Sequence, residues 1–404
     1  MRRVAITGMG AICALGHDAT STWAAMREGR SGIGPIANIP TELLNVKIAA
    51  EVRGFDPAAH FDSKKLPLLD RVSQFALVAA REAVAQSGLE FKASGLGEHT
   101  ACIVGTGIGG ENSHNEQSRR FFGDKNPRLH PLTILRVMAN APACHIGIEF
   151  GLTGPSFAVV SACASANHAM SQAFDMVRSG RVAVAVTGGS EACVTETTMK
   201  AWEAMRVTAD DTCRPFCKQR RGMVLGEGAG IFVLEEWEHA KARGASILAE
   251  FAGSGATADA VDMVYPAETT VARAIELALH DAGLDAADVD YINAHGTGTP
   301  ANDPTESKAI RRVFGAHADR LAVSSTKSMH GHALGAAGAI ELVAAIGSLR
   351  DGVIPPTANF IDPDPECDLD YVPNAAREKP VRACLSNSFA FGGLNAVVAL
   401  KRAG

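Results

Sequence analysis

The chain has 404 residues, 47% hydrophobic and 20% charged, enough for one large core or two fused ones. Its net charge of −6 provides no bulk basic field for nucleic acid or an anionic membrane surface, so an acidic partner needs a local basic patch. Nine scattered cysteines form no disulfide framework and no run of 18 apolar residues occurs; a stapled scaffold and a membrane span are therefore not expected, and a reducing, cytoplasmic setting is.

In chain order, "MRRVAITGMG" could pass for a leader. Thr7, Gly8 and Gly10 interrupt its apolar run, which suits a buried strand ending in a glycine turn. A helix is predicted over Arg71–Ala85. The strand "TACIVGTG" runs into "GTGIGG" at 105–110, a match to G-x-G-x-x-G. The segment that follows, "ENSHNEQSRR", is a poor dinucleotide-binding helix, so nucleotide binding is not expected. The strand "GPSFAVVSA" precedes Cys163, and Ala166, Met170, Phe174 and Val177 then recur at helical spacing. Strands "VAVAVTGG" and "GAGIFVLEE" follow. Cys213 and Cys217 in "CRPFC" lack two further ligands at zinc-site spacing and read as ordinary thiols.

Beyond residue 245 the pattern starts again. Strand "ILAEFAGSG" leads to a helix over Thr270–Ala282, strands "VDYINAHG" and "LAVSSTK", and a helix over Ala336–Ser348. "IDPDPECDLDYVPN" is predicted as a surface loop. Strands "ACLSNSF" and "NAVVALK" close the chain. Strands alternating with helices predict an α/β fold with buried sheets. Both parts open with a strand near a glycine turn and close with a strand, a glycine-rich stretch and a strand. This suggests a duplication with halves 1–250 and 251–404.

Four places carry candidate chemistry. Cys163 lies at a strand-to-helix turn, where unpaired N–H groups and the macrodipole favour a thiolate. Ala162, Ala164 and Ser165 leave room for an acyl group. An inert buried thiol is the competing reading. His295 sits in "NAHGTGTPAND", a turn from which a ring can enter a cleft or merely satisfy a hydrogen bond. "SSTKSMHGHALGAAG" offers Lys327, His330 and His332 before a helix, with a lysine five residues from a histidine it could hold. In "SNSFAFGG", Phe391 precedes Gly392 and Gly393, so its N–H can be exposed in a turn.

Taken together, "SACASANHA", "NAHGTGT", "STKSMHGHALGAAG" and "SNSFAFGG" resemble the elongating, type II β-ketoacyl-acyl carrier protein synthases, over essentially the whole chain. The shorter segments "KAWEAMR", "DTCRPF" and "VLGEGAG" are similar to the nodulation protein E group within that family. The resemblance implies a thiolase-like fold: duplicated α/β halves with buried mixed sheets in an α-β-α-β-α arrangement, in a homodimer without an organic cofactor. It implies a decarboxylative Claisen condensation of malonyl-acyl carrier protein with an enzyme-bound acyl chain, in fatty acid synthesis or for specialised polyketide or nodulation-factor chains. Cys163 takes the acyl group. His295 and His332 serve the enolate, Lys327 holds His332, and the N–H groups of Cys163 and Phe391 bind the oxyanion.

The resemblance further assigns Thr297 and Thr299 to the carrier's pantetheine arm and Ile108 and Thr133 to the acyl tunnel. Arg206, with Lys64, Lys65 and Arg128, falls to carrier docking. A family cation site maps to Asn293, Glu341, Ser386 and Asn387, residue types that equally suit buried structural roles. Two positions depart from the pattern: Ala390 replaces a glycine and Thr133 a phenylalanine. A chain-length factor lacks the cysteine, a degradative thiolase has Cys-His-Cys and an initiating synthase Cys-His-Asn. The set Cys163, His295 and His332 argues against all three.

Overall fold

Ten strands frame the protein in a computed structural model that describes residues 1–404. β1 (Val4–Cys13), β2 (Thr100–Gly105), β3 (Ser156–Val159), β4 (Val184–Glu191) and β5 (Gly228–Glu236) come first in the chain. β6 (Ala249–Ala258), β7 (Tyr291–Asn293), β8 (Ala322–Ser324), β9 (Ala383–Ala390) and β10 (Leu394–Lys401) follow. They bond in the order β8-β7-β9-β10-β6-β1-β5-β4-β2-β3. Each set of five therefore has the same internal order: third, second, fourth, fifth, first. The sets meet at their first strands, which run antiparallel with Val4 opposite Phe251 and Ile6 opposite Ala249. In each set the second strand is parallel to its third and fourth, and the fifth is antiparallel to both its neighbours. Every residue of β1, β2 and β4 is buried, which is why these strands read as unbroken runs rather than alternating ones.

Six helices matter here: α1 (Arg71–Ser87), α2 (Ser165–Arg178), α3 (Glu196–Ala204), α4 (Glu268–Ala282), α5 (Asn302–Phe314) and α6 (Ala337–Asp351). α2 and α6 pack on each other and on strands of both sets, so they form a middle layer. α1 covers the first set from outside and α4 the second. The result is the five-layered α-β-α-β-α arrangement of duplicated halves with mixed sheets. α6 is buried from Ala337 to Leu349, and, Glu341 and Ser348 apart, it is built of small and apolar residues on every face, as an element enclosed on all sides must be. Its Gly338 is obligatory, since a Cβ there would lie 2.2 Å from Asn167 Oδ1 on α2. Phe174 of α2, Leu342 and Ile346 of α6, and Ile6, Phe232, Phe251 and Val398 from both strand sets share one core. Phe174 stacks on Phe251 with centroids 4.7 Å apart, joining the layers.

The segment 361–374 is the expected surface loop, mostly exposed, but it is anchored at three points. Cys367, Tyr371 and Val372 are buried, and Tyr371 stacks on Phe216 at 4.1 Å while its hydroxyl bonds to Ser307 at 2.6 Å. Isolated apolar anchors among its aspartates pin it down. No helix is long and apolar enough to cross a membrane.

Candidate active site

Cys163 lies in a 3₁₀ turn, Ala162–Ala164, that runs directly into α2. Ala162 has φ +49°, a costly conformation for a residue with a Cβ. Cys163 is only 5% exposed. Its Sγ lies 3.0 Å from His332 Nε2. Burial pushes the thiol up to about 12, against the pull of Lys327 and of the backbone N–H groups of Cys163 and Phe391, while Glu191 pushes the same way as burial. The resting group is therefore a neutral thiol. The thiolate expected from the helix terminus alone is outweighed by desolvation. The same two N–H groups converge on sulfur, so an oxygen on a carbon bonded to that sulfur falls within their reach.

The two candidate histidines meet at this thiol. Their rings are 5.5 Å apart and nearly perpendicular. Burial, then the Lys327 charge, holds both well below the usual imidazole range, so both are neutral. Lys327 Nζ donates to the His295 carbonyl at 2.7 Å, lies 3.5 Å from His295 Nδ1, and pairs with Glu341 in a fully buried contact. An ammonium can only donate, so His295 Nδ1 is the acceptor and Nε2 carries the proton. His332 Nδ1 has no partner, which suits a lone pair better than an N–H and again leaves the proton on Nε2. Lys327 thus grips His295 rather than His332, correcting the expectation from sequence proximity. The helical turn Lys327–His330 carries the lysine away from the segment of His332, which is bonded to Val224 and Gly226 instead.

Two carboxylates that sequence reasoning passed over build the His295 loop. Glu306 accepts the N–H groups of His295 and Gly296, both at 2.8 Å, and the amide of Asn387 at 3.1 Å. Asp303 accepts Phe216 N at 2.7 Å and Gly298 N at 3.2 Å. Gly298 has φ +78°, which the turn requires. Both acids open α5, where "NDPTES" reads as an ordinary solvated first turn. Their closeness to His295 in the chain was the available signal. Burial raises both, Asp303 to about 6.

A cavity of about 550 Å³ opens onto Cys163. His295, His332, Thr297, Thr299, Phe391 and Arg206 all line it. The Thr297 and Thr299 hydroxyls are 2.9 Å apart. Phe391 stacks on Trp202 of α3 at 5.8 Å. Ile108 and Thr133 are not brought to this cavity. Ile108 is 40% exposed and its N–H is directed at Glu191, while Thr133 spends its hydroxyl on the His130 carbonyl. Lys65 is not a free basic group either, being paired with Glu149; Lys64 and Arg128 are exposed. In the glycine turn after β2, the Gly107 and Ile108 N–H groups that would cradle a phosphate bond a carboxylate instead.

Asn293 Oδ1, Glu341 Oε2, Ser386 Oγ and Asn387 Oδ1 are buried oxygens without a hydrogen-bond partner. Hard, mostly neutral oxygens with one carboxylate suit a cation such as Na⁺ or K⁺, so the four residues fit the family's cation site. No cluster of three or more His, Cys, Asp or Glu is arranged to hold a metal.

A buried thiol, two neutral imidazoles and paired amides at the foot of a cavity, on a duplicated five-layered frame, define a thiolase-fold condensing enzyme. The chain belongs to the β-ketoacyl synthase family. Residues 1–240 match the β-ketoacyl synthase N-terminal domain and residues 248–361 its C-terminal domain. It is an acyltransferase of the ketosynthase type. Among relatives, nodulation protein E of Rhizobium meliloti (strain 1021) is 50% identical over 403 residues, 99% of each chain. The 3-oxoacyl-[acyl-carrier-protein] synthase 2 of Staphylococcus aureus (strain COL) is 42% identical over 409 residues, 99% of this chain and 98% of that one. A solved complex of a type II PKS acyl-carrier protein with its ketosynthase bound to the hexaketide contains a chain 30% identical. It covers all of both chains with a TM-score of 0.90.

Proposed function

We propose that this protein elongates an acyl chain by two carbons, condensing it with malonyl-acyl carrier protein while carbon dioxide leaves. The observation that carries the reading is the Cys163–His332 contact at 3.0 Å with His295 beside it at the foot of the cavity. Cys163 Sγ attacks the acyl-carrier thioester, and the thiol proton ends on the released carrier thiol. Malonyl carrier then enters. The carboxylate leaves as carbon dioxide, and its bonding electrons become an enolate whose oxygen accepts from His295 Nε2–H and His332 Nε2–H. The carbanion attacks the acyl carbonyl, and the tetrahedral oxyanion rests on the Cys163 and Phe391 N–H groups. Collapse breaks the C–S bond, and the cysteine thiolate takes a proton from solvent, the one proton that the overall condensation consumes. A cation held by Asn293, Glu341, Ser386 and Asn387 would supply fixed positive charge beside the Lys327 pair.

Thr297 and Thr299 are assigned to the pantetheine arm and Arg206 to the carrier, in a cytoplasmic enzyme with repeated halves 1–250 and 251–404. Its homodimer would form along β3, the edge of the sheet, where Phe157 and Val160 are exposed. Ile108 and Thr133 are assigned to an acyl tunnel completed by the second copy. Sedimentation of a Phe157→Asp variant as a monomer is the expected check.

A second reading narrows the first: a specialised ketosynthase for nodulation-factor or polyketide chains. Identity of 50% to a nodulation protein E against 42% to a synthase 2 favours it. Incubation with acyl carrier thioesters followed by digestion tests the common core. The label is expected on the Cys163 peptide and absent in Cys163→Ala, and a label on another cysteine ends the assignment. Mass spectrometry of products from a panel of carriers separates the two readings.

A further inference from the structure

Glu191 ends β4, fully buried, with no cation against it. Four donors surround its carboxylate. Gly107 N lies at 2.6 Å, Gly335 N at 3.0 Å, Thr106 Oγ1 at 3.1 Å and Ile108 N at 3.3 Å. Three come from the loop that follows β2. The fourth comes from Gly335, three residues after His332, in the turn Leu334–Ala336. The two segments touch so closely that a Cβ on Gly335 would lie 2.1 Å from Gly107 N. Leu334, between His332 and Gly335, has φ +39° and needs an external hold to stay there.

The second half repeats the device. The loop after β7 turns two consecutive N–H groups, from His295 and Gly296, onto buried Glu306. There the carboxylate positions a ring that lines the cavity.

We propose that Glu191 is a positioning residue for the condensation: its carboxylate ties the turn after His332 to the Thr106–Ile108 loop and so holds His332 against Cys163. This rests on the reading of Cys163 as nucleophile and His332 as its partner. A carboxylate suits the task because each oxygen accepts two donors, whereas an amide would set its NH₂ against two of them. Glu191 acts on the site through charge as well. It opposes ionisation of the thiols of Cys163 and Cys193, while Lys327 favours the Cys163 thiolate and Glu227 also acts on Cys193.

The test compares wild type, Glu191→Gln and Glu191→Asp. Glu191→Gln is expected to lose about 10–100-fold in kcat for condensation, since small misplacements at a reacting centre cost that much. KM for malonyl carrier should stay within about threefold, because Glu191 does not line the carrier-side cavity. Burial raises Glu191 itself to about 7, so above neutral pH, where the wild-type carboxylate is charged, the Cys163 alkylation profile of Glu191→Gln should shift to lower pH, since that negative charge has gone. Glu191→Asp, which keeps the charge, should leave the alkylation profile in place. Should Glu191→Gln fail to fold, Thr106→Val removes one donor; about a threefold loss of kcat with KM unchanged supports the tie. A folded Glu191→Gln with kcat within threefold and an unmoved alkylation profile overturns the proposal, as does a silent Thr106→Val where Glu191→Gln cannot be made. If wild-type enzyme is acylated elsewhere than Cys163, the reading of the site fails instead, and that result is distinct.

Discussion

α2 and α6 begin with the same turn. Each is preceded by a three-residue 3₁₀ segment, Ala162–Ala164 or Leu334–Ala336, whose first residue has positive φ. The next residue is Cys163 in one half and Gly335 in the other. The duplicated fold thus supplies two equivalent helix starts, and only one is armed. The difference lies in the neighbours. Beside Cys163 is the cavity; beside Gly335 is the Thr106–Gly107 backbone, with no room for a side chain. The loops after β2 and β7 show the reverse. The first is glycine closed onto Glu191, while the second carries His295 into the cavity. On the proposed reading, each half contributes what the other has given up to packing: the first the nucleophile, the second the two histidine donors.

If this division holds, changes in the second half should break decarboxylation and spare acyl transfer. His295→Ala and His332→Ala are expected each to lose roughly 10²–10³-fold in malonyl decarboxylation, since the enolate gains charge that the bound thioester lacks. Both should still form the acyl-enzyme on Cys163. Rapid-quench measurement of the two half-reactions checks this, and normal decarboxylation in both variants would remove the histidines from that role.

The halves should also differ in pH dependence, by about tenfold per pH unit. Burial places the Cys163 thiol at about 12, so its reactive thiolate fraction rises tenfold per unit across pH 6–9. The imidazoles are held well below the usual range by burial and Lys327, so both remain neutral donors throughout. Acylation should therefore climb with pH and decarboxylation should stay level. A decarboxylation rate that rises as pH drops from 7 to 6 would mean that the histidines titrate near their ordinary value, since an imidazolium keeps its Nε2–H and adds positive charge beside the enolate.

The same division explains what could be read beforehand. Strands and helices were legible because buried strands leave unbroken runs and α2 keeps its 3.6-residue period at Ala166, Met170, Phe174 and Val177. Cys163, His295 and Phe391 sit in glycine- and alanine-rich turns, and those turns stand out in any sequence. Glu191, Asp303 and Glu306 do not. A carboxylate that accepts buried N–H groups looks like one facing water until the fold places the donors. Lys327 shows the opposite failure: nearness in sequence suggested His332, but one helical turn sent its amine to His295.

The smallest expected effect lies at the mouth. Arg206 is exposed, lines the same cavity as Thr297 and Thr299, and stands at φ +58° just after α3. Lys65, by contrast, has its charge taken up by Glu149. Acyl carrier proteins are acidic, and this chain is itself net negative, so association needs local positive charge at the entrance. A rim charge acts mainly on the association rate and is screened over about 8 Å at physiological salt. Arg206→Glu should raise the KM for acyl carrier by roughly 3–10-fold and flatten its salt dependence. Turnover of a small pantetheine thioester should be unaltered, because that substrate carries no acidic protein to repel. Lys65→Glu should instead lower the melting temperature, since it sets two carboxylates together, with little change in salt dependence. Equal loss on both substrates in Arg206→Glu would place the arginine inside the reacting centre, and the docking charge would then have to come from other residues at the rim.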